Sequence, residues 1–257
     1  MEKVENKLIF FDLDDTILRN DKSVSDKTLE VLSRLQKDGH VLIIDTARNL
    51  VRTLPVMDIM KVDYVIINAG ALIIDKNKNV IRRLVISKEI SKLLINDLLK
   101  LSNNISIQTD DILYETNREK DTVNRKKIDL TNFAGMEAQK ILVDNIDINV
   151  GKELAKKYDL EFENYFGGPW FRFCAKDVTK AKSLIYLTEY LNKDISDTMA
   201  FGDDYGDIEM IKASQIGVAT GNALDEVKKS ADIVCERSDD DGVGRFLDQY
   251  FKLNIYN

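Results

Sequence analysis

The chain has 257 residues, 44% of them hydrophobic, with 37 Lys and Arg against 44 Asp and Glu and a formal net charge of −7. That apolar content excludes a disordered chain and supports one large or two modest cores, while the acidic balance excludes a net positive field for nucleic acid or anionic lipid. A single histidine, His40, and two distant cysteines, Cys174 and Cys235, exclude a histidine- and cysteine-based zinc site and a disulfide framework, so a bound metal must be held mainly by carboxylates.

In chain order, Met1 to Lys7 is polar, and no run of about 18 uncharged apolar residues follows anywhere. A strand over Leu8–Phe11 begins almost at once and leaves no room for a cleaved leader. Two free cysteines suit a reducing compartment, so the chain reads as soluble and cytoplasmic. Ser25 can cap a helix in which Leu29, Leu32 and Leu35 recur at helical spacing and which Gly39 ends. Val41–Ile44 and Tyr64–Ile67 are short β-branched runs ending in polar or small residues, the pattern of buried parallel strands.

From about Arg82 to Phe173 the texture changes to a long helix, Lys88–Leu101, paired strands around Ile105–Glu115, and shorter irregular units. This stretch reads as an inserted domain. The segment Phe162–Phe173 looks like an aromatic hairpin, either domain core or a platform for an organic group. Arg125-Lys126-Lys127 reads as a solvated charge run. The βα rhythm then resumes with a helix over Lys180–Leu191, a strand near Thr198–Phe201, a helix near Ile208–Ala213 and strands at Ile216–Ala219 and Ile233–Cys235. The fold class is therefore α/β, a doubly wound parallel-sheet core over residues 1–81 and 176–257, with an inserted α+β domain over residues 82–175.

The strongest chemical signal is the strand that runs straight into Asp12-Leu13-Asp14-Asp15-Thr16. Asp12 and Asp14, two residues apart, point the same way and fall beyond the carboxyl end of the strand, where open α/β sheets bind ligands. Two carboxylates there suit Mg2+, a hard cation that prefers oxygen. Aspartates at this spacing also arise by chance, and Asp239-Asp240-Asp241 reads as a solvated loop. A second acidic cluster, Asp203-Asp204-Tyr205-Gly206-Asp207, again follows a strand, although capping by Asp207 alone would explain it. Thr46 ends a third strand, as a ligand or as a turn residue. Lys180 lies in the first turn of a helix, where the dipole disfavours a cation, so a bound anion and a solvated surface lysine both explain it.

In their order along the chain, these residues resemble the motifs of the haloacid dehalogenase superfamily. Asp12-x-Asp14-x-Thr16 is similar to its first motif, Thr46-Ala47-Arg48 to its second, Thr179-Lys180 to its third, and Gly202-Asp203-x-x-Gly206-Asp207 to its fourth. Gly217 to Ala223, Ala231-Asp232 and Asp241-Gly242-Val243 resemble the tail of its Cof-like branch, and the 134 positions from Thr46 to Lys180 leave room for that branch's type-2 cap.

The resemblance implies a Rossmann-like core and a phosphatase of small phosphorylated metabolites, sugar phosphates among them. It assigns Asp12 as nucleophile and Asp14 as general acid and base. Phosphate binding falls to Leu13, Thr16, Thr46, Ala47 and Lys180, and Mg2+ to Asp12, Asp14, Asp203 and Asp207, with Asp14 contributing its backbone carbonyl. Three positions depart from the family pattern: Asp45 for a small residue, Ala47 for Gly and Gly206 for Asn. Asp45 and Gly206 keep open a weakened relative that binds a phosphorylated ligand for regulation, and a mutase-type phosphotransferase is the enzyme alternative within the same superfamily.

Overall fold

Apolar runs of four or five residues, buried on both faces, form strands inside a sheet that is covered on each side. A computed structural model describes residues 6–165 and 168–256. Its elements begin with β1 (Leu8–Phe11), α1 (Asp26–Lys37), β2 (Val41–Asp45), α2 (Leu50–Met60), β3 (Tyr64–Ile67), β4 (Leu72–Asp75) and β5 (Val80–Arg83). There follow α3 (Lys88–Leu98), β6 (Ile105–Gln108), β7 (Leu113–Glu115), β8 (Arg125–Lys127), β9 (Lys140–Asp144), α4 (Ile148–Tyr158), β10 (Glu161–Tyr165) and β11 (Trp170–Cys174). The last are α5 (Lys180–Tyr190), β12 (Thr198–Gly202), α6 (Ile208–Ala213), β13 (Ile216–Ala219), α7 (Asp225–Ser230), β14 (Ile233–Val234) and α8 (Gly242–Phe251).

Local chemistry fixes these limits. Ser25 accepts a hydrogen bond from the Thr28 N–H at 3.1 Å and starts α1, and Gly39, at φ +93°, turns the chain into β2. The sequence pattern does not announce α2, which carries Pro55 in its interior.

One sheet has the order β14-β13-β12-β1-β2-β3-β4-β5. From β14 to β3 each neighbouring pair is parallel, as βα connections require. β4 is antiparallel to β3, because a 3-10 turn at Asn68–Gly70 reverses the chain directly. The second sheet, β10-β11-β9-β6-β7-β8, is antiparallel apart from the β7–β8 pair. The chain divides into two compact units: Met1–Ala47, Thr53–Ile81 and Thr179–Asn257 form one, Arg48–Arg52 and Arg82–Val178 the other. The second unit has its own core, in which Leu94, Ile95 and Leu98 of α3 meet Ile105, Ile107, Ile141, Phe171 and Phe173.

In the first unit the core and the polar site share one face. Leu8 and Phe10 of β1, Ile43 of β2, Ile66 of β3 and Ala200 of β12 pack with Leu184 and Leu187 of α5 into one apolar layer. Strand side chains alternate, so the next residue on that face is Asp12 after Phe10, Asp45 after Ile43, Asn68 after Ile66 and Gly202 after Ala200. α5 adds Lys180 one turn before Leu184. A polar rung with carboxyls at Asp12 and Asp45 thus sits directly beyond the apolar layer. On the opposite face Phe11 stacks on Phe201 at 5.6 Å between ring centroids, and Phe246 of α8 meets Phe201 edge-on. Burying a side chain of this size stabilises by about 1.5–3 kcal/mol.

Candidate active site

The acidic segment after β1 is pinned from several sides. The Asp12 N–H donates to the Phe201 carbonyl at 3.0 Å and the Leu18 N–H to the Leu13 carbonyl at 2.9 Å. Asp15 turns the chain at φ +59°, and its carbonyl accepts from Asn222 Nδ2 at 2.6 Å. Asn222 therefore holds the loop that carries the site, a contact the sequence alone does not disclose.

Lys180 is 6% exposed, which removes the reading of a solvated surface lysine. Its Nζ donates to Asp12 Oδ1 and to Asp207 Oδ1, both at 2.6 Å. Asp207 also closes the 3-10 turn Tyr205–Asp207: its Oδ2 accepts from the N–H groups of Asp203 at 3.0 Å and Asp204 at 3.1 Å. One oxygen of Asp207 thus serves the turn and the other meets the Lys180 ammonium, while its side chain makes no capping bond to α6, the helix that the sequence suggests it caps. Gly202 is required beside it, since a Cβ there would lie 2.3 Å from the Asp207 Cβ. Thr16 is buried, and its Oγ1 donates to Asp203 Oδ1 at 2.5 Å.

The electrostatics favour a cation. Burial pushes the Asp12 carboxyl up to about 7 despite the neighbouring Lys180, and burial reinforced by Asp12 pushes Asp203 to about 8. Burial opposes the charge on Lys180, yet Asp12, Asp207 and Asp45 outweigh it and hold the ammonium above its ordinary range. Asp12, Asp203 and Asp207 each offer an oxygen, all within 4.8 Å of one another. This is a hard, all-oxygen donor set short of positive charge, and it fits a divalent cation. Asp207 already spends its oxygens on Lys180 and two backbone N–H groups, which leaves Asp12 and Asp203 as the better-placed holders.

The other expected site residues stand as follows. Asp14 is half-exposed, outside the buried cluster, and pairs with Lys22 Nζ at 2.9 Å. Leu13 is fully buried, and its main chain hydrogen-bonds the Asp12 carboxylate. Thr46 is buried, its backbone held between the Ile66 carbonyl at 3.0 Å and the Ala69 N–H at 2.9 Å. Ala47 has an ordinary negative φ, so the missing glycine costs nothing there. Gly206 has nothing within 4 Å of where a Cβ would stand. Asp45 is wholly buried, neither carboxyl oxygen has a hydrogen-bond partner, and burial raises it to about 8 although Lys180 opposes the shift, with Asp207 and Asp12 adding to it.

Elsewhere, His40 Nδ1 accepts from the Lys7 N–H at 3.0 Å and its ring packs on Phe251, a structural role. Burial pushes the Cys174 thiol to about 11 and Cys235 to about 12, which makes both poor nucleophiles. Of the aromatic hairpin, Phe162, Phe171 and Phe173 lie in the core of the second unit, while Phe166 and Gly167 fall outside the described residues. Arg125, Lys126 and Lys127 are exposed, and Arg125 pairs with Glu115. The acidic run 239–241 is more than a solvated loop: Asp241 takes a two-pronged hydrogen bond from Arg19 at 2.8 Å, and Asp239 accepts from the Asn20 N–H at 2.8 Å. Among the described residues no helix is long and apolar enough to cross a membrane.

Residues 9–247 match the family model of the haloacid dehalogenase-like hydrolases. A curated relative, the 5-amino-6-(5-phospho-D-ribitylamino)uracil phosphatase YcsE of Bacillus subtilis, is 31% identical over 254 residues, covering 96% of each chain. A second one of that description from the same organism, YitU, is 27% identical and covers 96% of this chain and 98% of its own. Among solved structures, a haloacid dehalogenase-like hydrolase from Bacteroides thetaiotaomicron superposes with a TM-score of 0.80 at 24% identity, over 96% of this chain and 100% of that one. The structure described as a HAD subclass IIB sugar phosphatase superposes with a TM-score of 0.77 at 21% identity, with the same coverage. At these identities the structural matches speak for the fold.

Proposed function

The chain belongs to the haloacid dehalogenase-like hydrolase family as a Cof-like phosphatase, and from that premise we propose that it hydrolyses phosphate monoesters of small metabolites, sugar phosphates among them, through an aspartyl-phosphate on Asp12 with Mg2+ as cofactor. The observation that carries this reading is the buried constellation in which Lys180 bridges Asp12 and Asp207 at 2.6 Å while Asp203 stands beside them. The first unit then serves as the catalytic core, and the second as the cap that reads the organic part of the substrate.

Asp12 attacks phosphorus as the bond to the leaving oxygen breaks, and Asp14 gives that oxygen its proton. Asp14 next takes a proton from the water that attacks the aspartyl-phosphate, releasing inorganic phosphate and restoring Asp12. Lys180, Thr46, Thr16 and the main-chain N–H groups of Leu13 and Ala47 hold the phosphoryl oxygens, across which charge spreads in the transition state. Asp12 and Asp203, with the Asp14 carbonyl and support from Asp207, would hold Mg2+. When bound, that ion supplies positive charge against the repulsion between the Asp12 carboxylate and the phosphate.

The test is phosphate release from a panel of esters, with and without Mg2+, by the wild type and by Asp12→Asn. The panel starts with 5-amino-6-(5-phospho-D-ribitylamino)uracil, named in the relatives, and common sugar phosphates. Metal-dependent release abolished in the variant is expected; no release from any ester, or undiminished release by the variant, overturns the reading. An isomerised ester with little free phosphate would instead indicate the mutase alternative.

A further inference from the structure

The turn that follows the acidic segment returns a cation to Asp14. Arg19 N donates to the Ser23 carbonyl at 3.0 Å and Lys22 N to the Arg19 carbonyl at 2.8 Å, closing a tight turn with Lys22 at φ +66°. Asp21 Oδ1 accepts from both the N–H and the hydroxyl of Ser23, at 2.9 and 2.6 Å, and stiffens the turn from within. From outside, Asp241 holds the Arg19 guanidinium through two hydrogen bonds of 2.8 Å, and Asp239 holds both the backbone and the side-chain amide of Asn20. At the tip of this bolted turn Lys22 Nζ lies 2.9 Å from Asp14 Oδ1 and 3.6 Å from Asp15 Oδ1.

Magnitude decides what the Lys22–Asp14 pair is for. Lys22 is 49% and Asp14 38% exposed on their side chains. An ion pair of that exposure adds too little to the stability of a fold to hold the turn. The Arg19 and Asn20 anchors hold the turn, and the turn presents the cation. A left-handed backbone at a non-glycine residue adds local cost at Lys22 itself. The acidic run at residues 239–241 thereby gains a purpose, as the fixed point from which the turn reaches Asp14.

We propose that Lys22 is a positioning residue for the proton donor: it fixes the Asp14 carboxyl through Oδ1 in the orientation from which Asp14 protonates the leaving oxygen. This rests on the reading of Asp14 as general acid. When the phosphorus–oxygen bond breaks, the proton passes from Asp14 to the leaving oxygen and the new carboxylate is met by the Lys22 ammonium, with no other reactant required. Lys22 touches neither phosphorus nor the leaving oxygen. Its effect on the first step therefore scales with how much the leaving group needs a proton, while the later water step is common to all esters.

The experiment compares two esters in one assay: p-nitrophenyl phosphate, whose leaving group departs without a proton, and ribose 5-phosphate, an alkyl ester that needs one. Lys22→Met is expected to lower kcat/KM, which covers the steps up to departure of the leaving group, on ribose 5-phosphate about tenfold or more, within the contribution of a placed general acid, and on p-nitrophenyl phosphate by less than about twofold. Lys22→Arg restores the alkyl-ester rate. Equal losses on both esters, or no loss on either, overturn the proposal while wild-type turnover and its abolition in Asp12→Asn leave the hydrolase reading standing. Absence of wild-type turnover on both esters removes that reading and this inference with it. Circular dichroism and thermal melts of Lys22→Met, expected to match the wild type, separate positioning from a folding defect.

Discussion

Lys180 Nζ and Asp12 Oδ1 lie 2.6 Å apart with side chains 6% and 11% exposed. Removing one partner of such a pair leaves the other buried without compensation. Lys180→Met is therefore expected to destabilise the protein by about 3–5 kcal/mol at neutral pH, read by urea denaturation. Phosphatase turnover should fall at least about a hundredfold, the usual cost of one donor to the phosphoryl charge. Intact turnover in a folded Lys180→Met protein would remove Lys180 from the chemistry.

The buried carboxyls set the pH dependence of stability without metal. Asp12 at about 7 and Asp45 and Asp203 at about 8 all lie above the ordinary 3.8, each raised first by burial. For a carboxyl raised on folding, the stabilisation is complete below the ordinary value and is lost as pH climbs through the raised one. The metal-free protein should melt at a higher temperature at pH 5 than at pH 8. Mg2+ should raise the melting temperature more at pH 8, where the ligands ionise more readily. A flat profile in EDTA contradicts the burial of these groups.

Asp45 isolates one part of that slope, since the proposed metal set does not include it. Asp45→Asn keeps the shape and removes the ionisation that the unfolded chain gains above its ordinary value. The variant is expected to be more stable than the wild type at pH 8, by up to about 5 kcal/mol on the conversion of one unit to 1.36 kcal/mol, and nearly equal to it below pH 4. Denaturant midpoints at the two pH values test this.

Thr16 orients Asp203 through a hydrogen bond of 2.5 Å. Thr16→Val preserves volume and loses the donor. Partners that orient a ligand typically contribute 10–100-fold in metal affinity, so Mg2+ binding by calorimetry should weaken about tenfold or more. Unchanged affinity would reassign Thr16 to the phosphate alone.

Gly206 and Gly202 make a matched pair. Gly206 has open space where a Cβ would stand, so Gly206→Asn should fold and gain up to about 1 kcal/mol through reduced freedom of the unfolded chain. It should also lower KM, by returning a side chain that the family usually has there. Gly202→Ala would press on Asp207 at 2.3 Å and should lose both stability and turnover. Melting temperatures and KM values of the two variants decide this.

Much of the first unit was legible in the sequence because buried parallel strands are continuous apolar runs: Leu8–Phe11, Tyr64–Ile67 and Ile216–Ala219 have the limits that the pattern suggests. α2 was not, since Pro55 interrupts the signal that periodicity relies on. β4 escaped because a strand reversing through a turn at Asn68–Gly70 leaves no βα spacing. Of the candidate site, the order of motifs that the family resemblance rests on singles out Asp12, Asp203 and Lys180, which the structure brings together, but spacing does not show that Asp14 faces Lys22. Nor does it disclose that Asn222 and Asp241 reach across roughly two hundred positions to hold the turns around it. Such contacts depend on tertiary distance alone.

The carboxyl rung shares its face with the apolar layer one step below, which ties the chemistry to strand arithmetic. A strand has a period of two, so one residue inserted between Phe10 and Asp12 would carry the Asp12 side chain across to the Phe11 face, away from Lys180, while a two-residue insertion would return it to the original side. The sheet therefore acts as a parity check on its own active site. Length changes can accumulate in the loops, but within β1 an odd one turns Asp12 away from Lys180 however well the rest of the chain folds.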